Sequence, residues 1–342
     1  MEPGVPGSSP GGGTISPHDH LRSAHARYAA RAALACGYAF RSLDGEDGYL
    51  FEIRDGARKA VFAAGAGVPY ALNDARGASL ARDKAFCAAA LAEAGLPTLP
   101  GRLFFVTERW AEMRGPGREP ADALAYAAQA SYPLFCKPIS GSNGLFAEVI
   151  ADAGAFADYM ARVSREHFAI LVQPYVCGDE YRVFVLKGRA LFTYRKHQPR
   201  IVGDGASSVR ALVDALTRDN GGPIERTRAR DAAGRIVALD ETPQSGAVLV
   251  LEGPANRAAG GGASNVADAA PAALARVALG ACEALGLNLA GVDLFDLSPA
   301  RDLSALAIIE VNSNPMIQTL EDHNRWDLIT EIWSANFEAA LR

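Results

Sequence analysis

The chain of 342 residues has no run of about 18 apolar residues, so no transmembrane helix is expected. Its five cysteines, Cys36, Cys87, Cys136, Cys177 and Cys282, include no C-x-x-C pair. That scatter points to reduced thiols, not to a disulfide framework or a zinc site. There is no basic cluster, and the net charge is −5, which argues against nucleic acid as a partner. No Gly-Lys-Ser/Thr opens a helix, no G-x-G-x-x-G follows a strand, and no internal repeat is found. The opening "MEPGVPGSSPGGGTISP" lacks the apolar stretch of a secretory signal, so residues 1–17 read as a disordered tail on a cytoplasmic protein. A content of 49% hydrophobic and 21% charged residues is that of an ordinary globular chain with room for two or three packed units.

The periodicities give a mixed α/β order. Residues 18–35 are Ala/Arg-rich and helical in tendency, and short strands follow around "GYLFEIR" and "KAVFAAG". In "SLARDKAFCAAALAEAGLPTLPG", Leu80, Lys84, Cys87, Ala88 and Leu91 recur at helical spacing, which predicts one helix ended by Gly95 and Pro97. From 132 to 196 the pattern is mostly β, interrupted by the helix "AGAFADYMARVS". "GDGASSVRALVDALTRD" reads as a loop and a capped helix, and residues 218–247 as a polar, irregular insert.

Near the C-terminus, "GVDLFDL" and "ALAIIEVNSNP" read as two strands joined by the turn-like "SPARDLS". Glu310 and Asn312 share one strand face. A hairpin turning near Ala300 and Arg301, with facing positions that sum to about 603, sets Asp293 directly across from Glu310, with Cβ atoms roughly 5 Å apart. Opposed carboxylates repel unless a positive charge lies between them or both face water. Two carboxylates and an amide oxygen would suit Mg²⁺ or Mn²⁺.

"CKPISGSNGLFAEV" places Lys137 at a strand end before a loop of Gly141, Ser142, Asn143 and Gly144. Such a loop is either a hairpin turn or a cradle whose backbone N–H groups meet phosphate. In "LVQPYVCGDEYRVFVLKG", Glu180 and Arg182 share a strand face, as a surface ion pair or as partners for ribose and an oxyanion.

In combination, the ordered set "RDK", Lys137 with its loop, "VQPYVCGDEYRVFV", "IVGDGASSVRALV", "GVDLF" and "IIEVNSNP" resembles the ATP-grasp superfamily of carboxylate–amine ligases. The pairing of "VGDG" with "PANRAAGGGASNVAD" is most similar to the ATP-grasp domain of cyanophycin synthetases and bifunctional glutathione synthetases. The resemblance runs from about Leu72 to Pro315 and implies an α+β fold of two subdomains clasping ATP behind a small, abbreviated N-terminal α/β domain. The boundaries it suggests are 18–80 for the first domain, 81–180 for the lid-bearing subdomain and 181–342 for the metal-binding subdomain.

By resemblance, Lys84 and Lys137 would bind ATP phosphates, and Gly141, Ser142, Asn143 and Gly144 would form a lid loop. Gln173, Pro174, Tyr175 and Val176 would form the adenine hinge, and Glu180 would bind ribose. Asp293, Glu310 and Asn312 would hold Mg²⁺ or Mn²⁺. Arg195 would stabilise the transferred phosphoryl group, and Arg182 and Asn256 would face substrate. The chain carries no second P-loop half, so one ligation of a small carboxylate to an amine is expected in place of polymer synthesis, in a chain that could pair as a homodimer. A small-molecule kinase on the same fold and a nucleotide-binding module without turnover are the alternatives.

Overall fold

The computed structural model describes residues 17–65, 67–141, 144–220, 228–253, 255 and 260–342. The chain divides into two compact units, residues 1–72 with 316–342, and residues 73–315. The expected boundary at 80/81 thus lies inside the second unit, and the closing helix, expected with the metal-binding subdomain, falls in the first.

In the first unit, α1 (Ala24–Cys36) starts where the Ser23 side chain accepts from the Ala26 N–H, and it ends on left-handed Gly37. It is followed by an antiparallel sheet of β1 (Ala39–Ser42), β2 (Leu50–Asp55) and β3 (Arg58–Ala63). The second and third strands were legible in the sequence; β1, with only four residues, was not.

The second unit opens with α2 (Ala75–Arg82) and α3 (Lys84–Glu93), where the periodicity had suggested one helix. Asp83 makes the break. Its backbone is extended, and its carboxylate accepts from the N–H groups of Ala85 and Phe86, so a new helix begins there. Next come β4 (Arg102–Phe105), α4 (Pro120–Ala127), β5 (Leu134–Pro138), β6 (Glu148–Ile150), α5 (Ala153–Val163) and β7 (Ala169–Pro174). The four strands form one sheet in the order β4-β7-β5-β6. Phe104, Leu134, Cys136, Phe156, Tyr159 and Ile170 are buried in the core it shares with α4 and α5.

The remaining elements are β8 (Asp179–Leu186), β9 (Arg189–His197), β10 (Arg200–Val202), α6 (Val209–Asn220), β11 (Ala229–Arg230), β12 (Ile236–Val237), β13 (Val248–Leu251), β14 (Gly262–Ala263), α7 (Ala272–Leu285), β15 (Leu289–Asp296) and β16 (Leu306–Asn312). A second sheet runs β14-β9-β8-β15-β16. One of its faces is apolar, with Val183, Val185, Val292 and Leu294 buried against Leu274, Ala278 and Leu285 of α7. Helices pack on both sheets, an α+β arrangement as the resemblance implies. Part of the stretch read as an irregular insert belongs to a third sheet, β10-β13-β11-β12, with its own core of Ile201, Val209, Val213, Val237 and Leu249. Residues 221–227 lie outside the described residues.

After the second unit, α8 (Gln318–Asp322) and α9 (Trp326–Ala340) return to the first. There Tyr28, Phe51, Phe62, Trp333 and Phe337 make a buried aromatic core. Among the described residues no helix is long and apolar enough to cross a membrane.

Candidate functional site

The hairpin of β15 and β16 has the register the sequence suggested. Asp293 pairs with Glu310 and Gly291 with Asn312, and a bulge follows Asp293. On the other side of β15, Asp293 pairs with Arg182 of β8, and across β8 Arg182 pairs with Tyr194 and Glu180 with Lys196 of β9. Paired residues point to the same face. Glu180, Arg182, Lys196, Asp293 and Glu310 therefore share the face opposite to the one packed on α7.

The two acids do not meet each other with bare charge. Asp293, only 2% exposed, takes a bidentate fork from Arg182, Nε to Oδ1 at 2.7 Å and Nη2 to Oδ2 at 2.6 Å. Lys196 Nζ stands 3.4 Å from the same Oδ2 and also bonds Glu180 Oε1. Burial would raise the Asp293 pKa, but Arg182 and Lys196 outweigh it and hold the carboxyl below its ordinary range. Lys196 shows the converse: burial pulls its pKa down, and Asp293 with Glu180 push it above the usual lysine value.

Glu310 is matched from α3 and β5. Lys84, the first residue of α3, places Nζ 3.2 Å from Glu310 Oε1 and donates to the Gly141 carbonyl at 3.0 Å. Its position is fixed by a backbone bond from Lys84 N–H to the Ile139 carbonyl, 2.8 Å. Lys137, at the end of β5, is buried, and its Nζ donates to the Ile309 carbonyl at 3.3 Å. Burial lowers its pKa, with Glu310 opposing the fall. A main-chain bond from Ile308 N–H to the Pro97 carbonyl, 2.7 Å, ties β16 to the segment after α3.

The structure thus brings together Lys84, Lys137, Glu180, Arg182, Asp293 and Glu310 in one charged cluster, with Asn312 on the same strand as Glu310. Gln173 is buried with its side-chain amide donating to the Leu99 carbonyl at 3.3 Å, while Tyr175 N–H donates to the Pro133 carbonyl at 3.1 Å. Of the loop expected to act as a lid only Gly141 and Gly144 are described; Ser142, Asn143 and Asn256 lie outside the described residues.

Arg195 is not in this cluster. It pairs with Tyr181 on the opposite face of β9, where it bonds Asp179, with Arg301 Nε 4.0 Å from that carboxylate. The cation that β9 does contribute is its neighbour Lys196. The signal for it was present: in a two-stranded pairing with "DEYRV", only alternate residues of "YRKH" can share a face with Glu180.

A metal's fit follows from the donor set. Asp293 and Glu310 on adjacent strands, with the Asn312 amide, are hard oxygen donors of the kind Mg²⁺ or Mn²⁺ takes. Both carboxylates are already paired with cations. Among the described residues no cluster of three or more His, Cys, Asp or Glu could hold a metal, so the Asn312 amide would have to complete the set.

No family model matches the chain. It is 31% identical over 218 residues to the glutathione biosynthesis bifunctional protein GshAB of Mannheimia succiniciproducens, covering 56% of this chain and 28% of that protein. It is 25% identical over 258 residues to the cyanophycin synthetase of Geminocystis herdmanii, covering 70% of this chain and 28% of that protein. The chain therefore spans about 28% of the length of these curated relatives. A solved bifunctional glutathione synthetase from Pasteurella multocida superposes with a TM-score of 0.48 at 20% identity, covering 92% of this chain and 45% of that one. These are the two kinds of protein that the motifs resemble, and the resemblance is borne out.

Proposed function

We propose that this relative of glutathione-synthesising and cyanophycin-synthesising proteins is an ATP-dependent carboxylate–amine ligase, working on small amino-acid-like substrates through an acyl phosphate. The observation that carries the reading is the convergence of four cations, Lys84, Lys137, Arg182 and Lys196, with Glu180, Asp293 and Glu310 on one face. Buried charges of both signs cost free energy unless each is paired. A cluster of this kind outside any apolar core is readily explained by a polyanionic guest and its counter-ion.

Lys137 and Lys84 would take phosphate oxygens, Lys137 from a buried position where its charge is weakly screened. Glu180 would accept from ribose hydroxyls once Lys196 turns toward phosphate. Asp293, Glu310 and Asn312 would hold Mg²⁺ or Mn²⁺, which neutralises charge on the phosphates when bound. Arg182 would hold the substrate carboxylate. One carboxylate oxygen then attacks the γ-phosphorus as the bond to the β-phosphate oxygen breaks and ADP leaves. The amine nitrogen next attacks the acyl carbon, the carbon–oxygen bond to phosphate breaks, and the nitrogen loses a proton. The products are an amide, ADP and inorganic phosphate.

A screen of pooled carboxylates and amines for ADP release, with hydroxylamine in place of the amine, tests this reading. ADP release with a hydroxamate supports it. A stable phosphorylated product moves the protein to the kinase alternative, and AMP with pyrophosphate overturns the mechanism.

A further inference from the structure

The Arg182–Asp293 fork poses a competition. Both Asp293 oxygens are engaged by Arg182, and Oδ2 also by Lys196, inside a site where Asp293 has almost no contact with water. A divalent cation requires a lone pair of its own at about 2.1 Å. We propose that Asp293 is a shared partner, so that a cation at Asp293 and an oxyanion at Arg182 strengthen each other's binding. This rests on the proposed function only in placing a cation at Asp293.

The argument runs through what each group can do when the fork loosens. Arg182 stays charged at any working pH, so it cannot escape by losing a proton. Its side chain is 15% exposed and its fork is the edge shaped for carboxylate or phosphate. Drawn from Asp293, that edge is left as an uncompensated buried charge until another oxyanion takes it. Lys196 need not follow, because without nucleotide it keeps Glu180. The other acid near Arg182 is Glu310, which is engaged by Lys84. The same exchange runs in reverse: an oxyanion that takes Arg182 leaves Asp293 free for the cation. Linkage makes the two effects equal, and couplings of this kind are typically about 5- to 150-fold.

The ligand class is an oxyanion, either a carboxylate or a phosphoryl group, and acetate and phosphate serve as its two probes. Arginine side-chain nitrogen resonances are followed in the full chain without nucleotide, Arg182 being assigned by its loss in R182K. Mn²⁺ occupancy is read by electron paramagnetic resonance. Added Mg²⁺ is expected to move the Arg182 Nε resonance. One or both probes are expected to raise Mn²⁺ affinity at least about fivefold. Acetate acting identifies a substrate-carboxylate subsite, and phosphate acting alone identifies a phosphoryl subsite; either supports the exchange.

Direct attraction between metal and anion is separated by two variants. In D293N the gain should vanish and metal-free oxyanion affinity should rise. In E310Q the metal should weaken while the gain persists. The proposal is overturned by an Arg182 resonance that stays still while Mn²⁺ occupies the site, or by a gain that survives in D293N. Should D293N fail to fold, the wild-type titration alone decides. None of these measurements uses ATP, so failure to bind Mg-ATP would count against the proposed function separately.

Discussion

Arg195 and Lys196 are one bond apart in the chain and on opposite faces of β9. The resemblance implies Arg195 for the phosphoryl group, whereas strand parity turns Arg195 away from the charged cluster and Lys196 toward it. The consequence is measurable. A charge-assisted hydrogen bond is worth about 1.5–3 kcal/mol, so K196M should lower turnover about tenfold or more. R195M should stay within about twofold, since Arg195 is itself exposed and its pairing with Asp179 is screened by water. Equal losses in steady-state kinetics would put Arg195 back in the site. Lys137 makes the second prediction at this scale. Its charge is buried beside Glu310 and directed at the cluster, so K137M should weaken Mg-ATP binding by calorimetry at least about tenfold with the melting temperature little changed. By contrast, Asp293 and Glu310 were legible from strand pairing, although the turn-side pairs, Leu294 with Ile308 and Asp296 with Leu306, run one residue out of that register and the bulge after Asp293 brings the two acids opposite.

Elements were legible where one period dominated. The strands from β5 to β9 and the hairpin were read from short apolar, β-rich runs, of which β7 is buried on both faces, and α5 was read as the helix that interrupts them. The α2–α3 break was not, because Ala, Leu and Cys continue the helical period through Asp83, and only the cap geometry reveals the restart. The strands β11 and β12, two residues each, carry no period at all. The "VGDG" motif has a structural account in this sheet. Gly203 lies so close to the chain that a Cβ there would stand 2.3 Å from the Gln244 carbonyl oxygen. Asp204 closes the turn by accepting from the N–H groups of Ala206 and Ser207. G203A should therefore destabilise this sheet by about 1–3 kcal/mol. Hydrogen exchange of Val248–Leu251 would reveal it as faster opening; unchanged protection there would refute the close-packing account.

At the scale of the whole molecule, the chain's two ends build one unit together, a pairing that no local pattern could announce. In its core His25 is enclosed by the rings of Tyr28, Tyr70 and Trp333, and its Nδ1 finds no hydrogen-bond partner among the described residues. Burial pushes its pKa down to about 4 from 6.5. A base depressed in the folded state binds its proton more readily when unfolded, so stability is full above about pH 6.5 and is lost as pH falls toward 4. The loss is at most roughly 3 kcal/mol. H25L should flatten the dependence of melting temperature on pH in that window, and an unaltered slope would assign it to other groups.

The central claim is that the substrate carboxylate becomes an acyl phosphate at the charged face of β8, β9, β15 and β16. Its most direct test is isotope transfer. With a substrate carboxylate labelled with ¹⁸O, found through the ADP-release screen, phosphorus NMR reads where the label goes. The account predicts one ¹⁸O in the released inorganic phosphate for each amide formed, with ADP as the nucleotide product. Label in AMP, or inorganic phosphate free of label while amide accumulates, would contradict it.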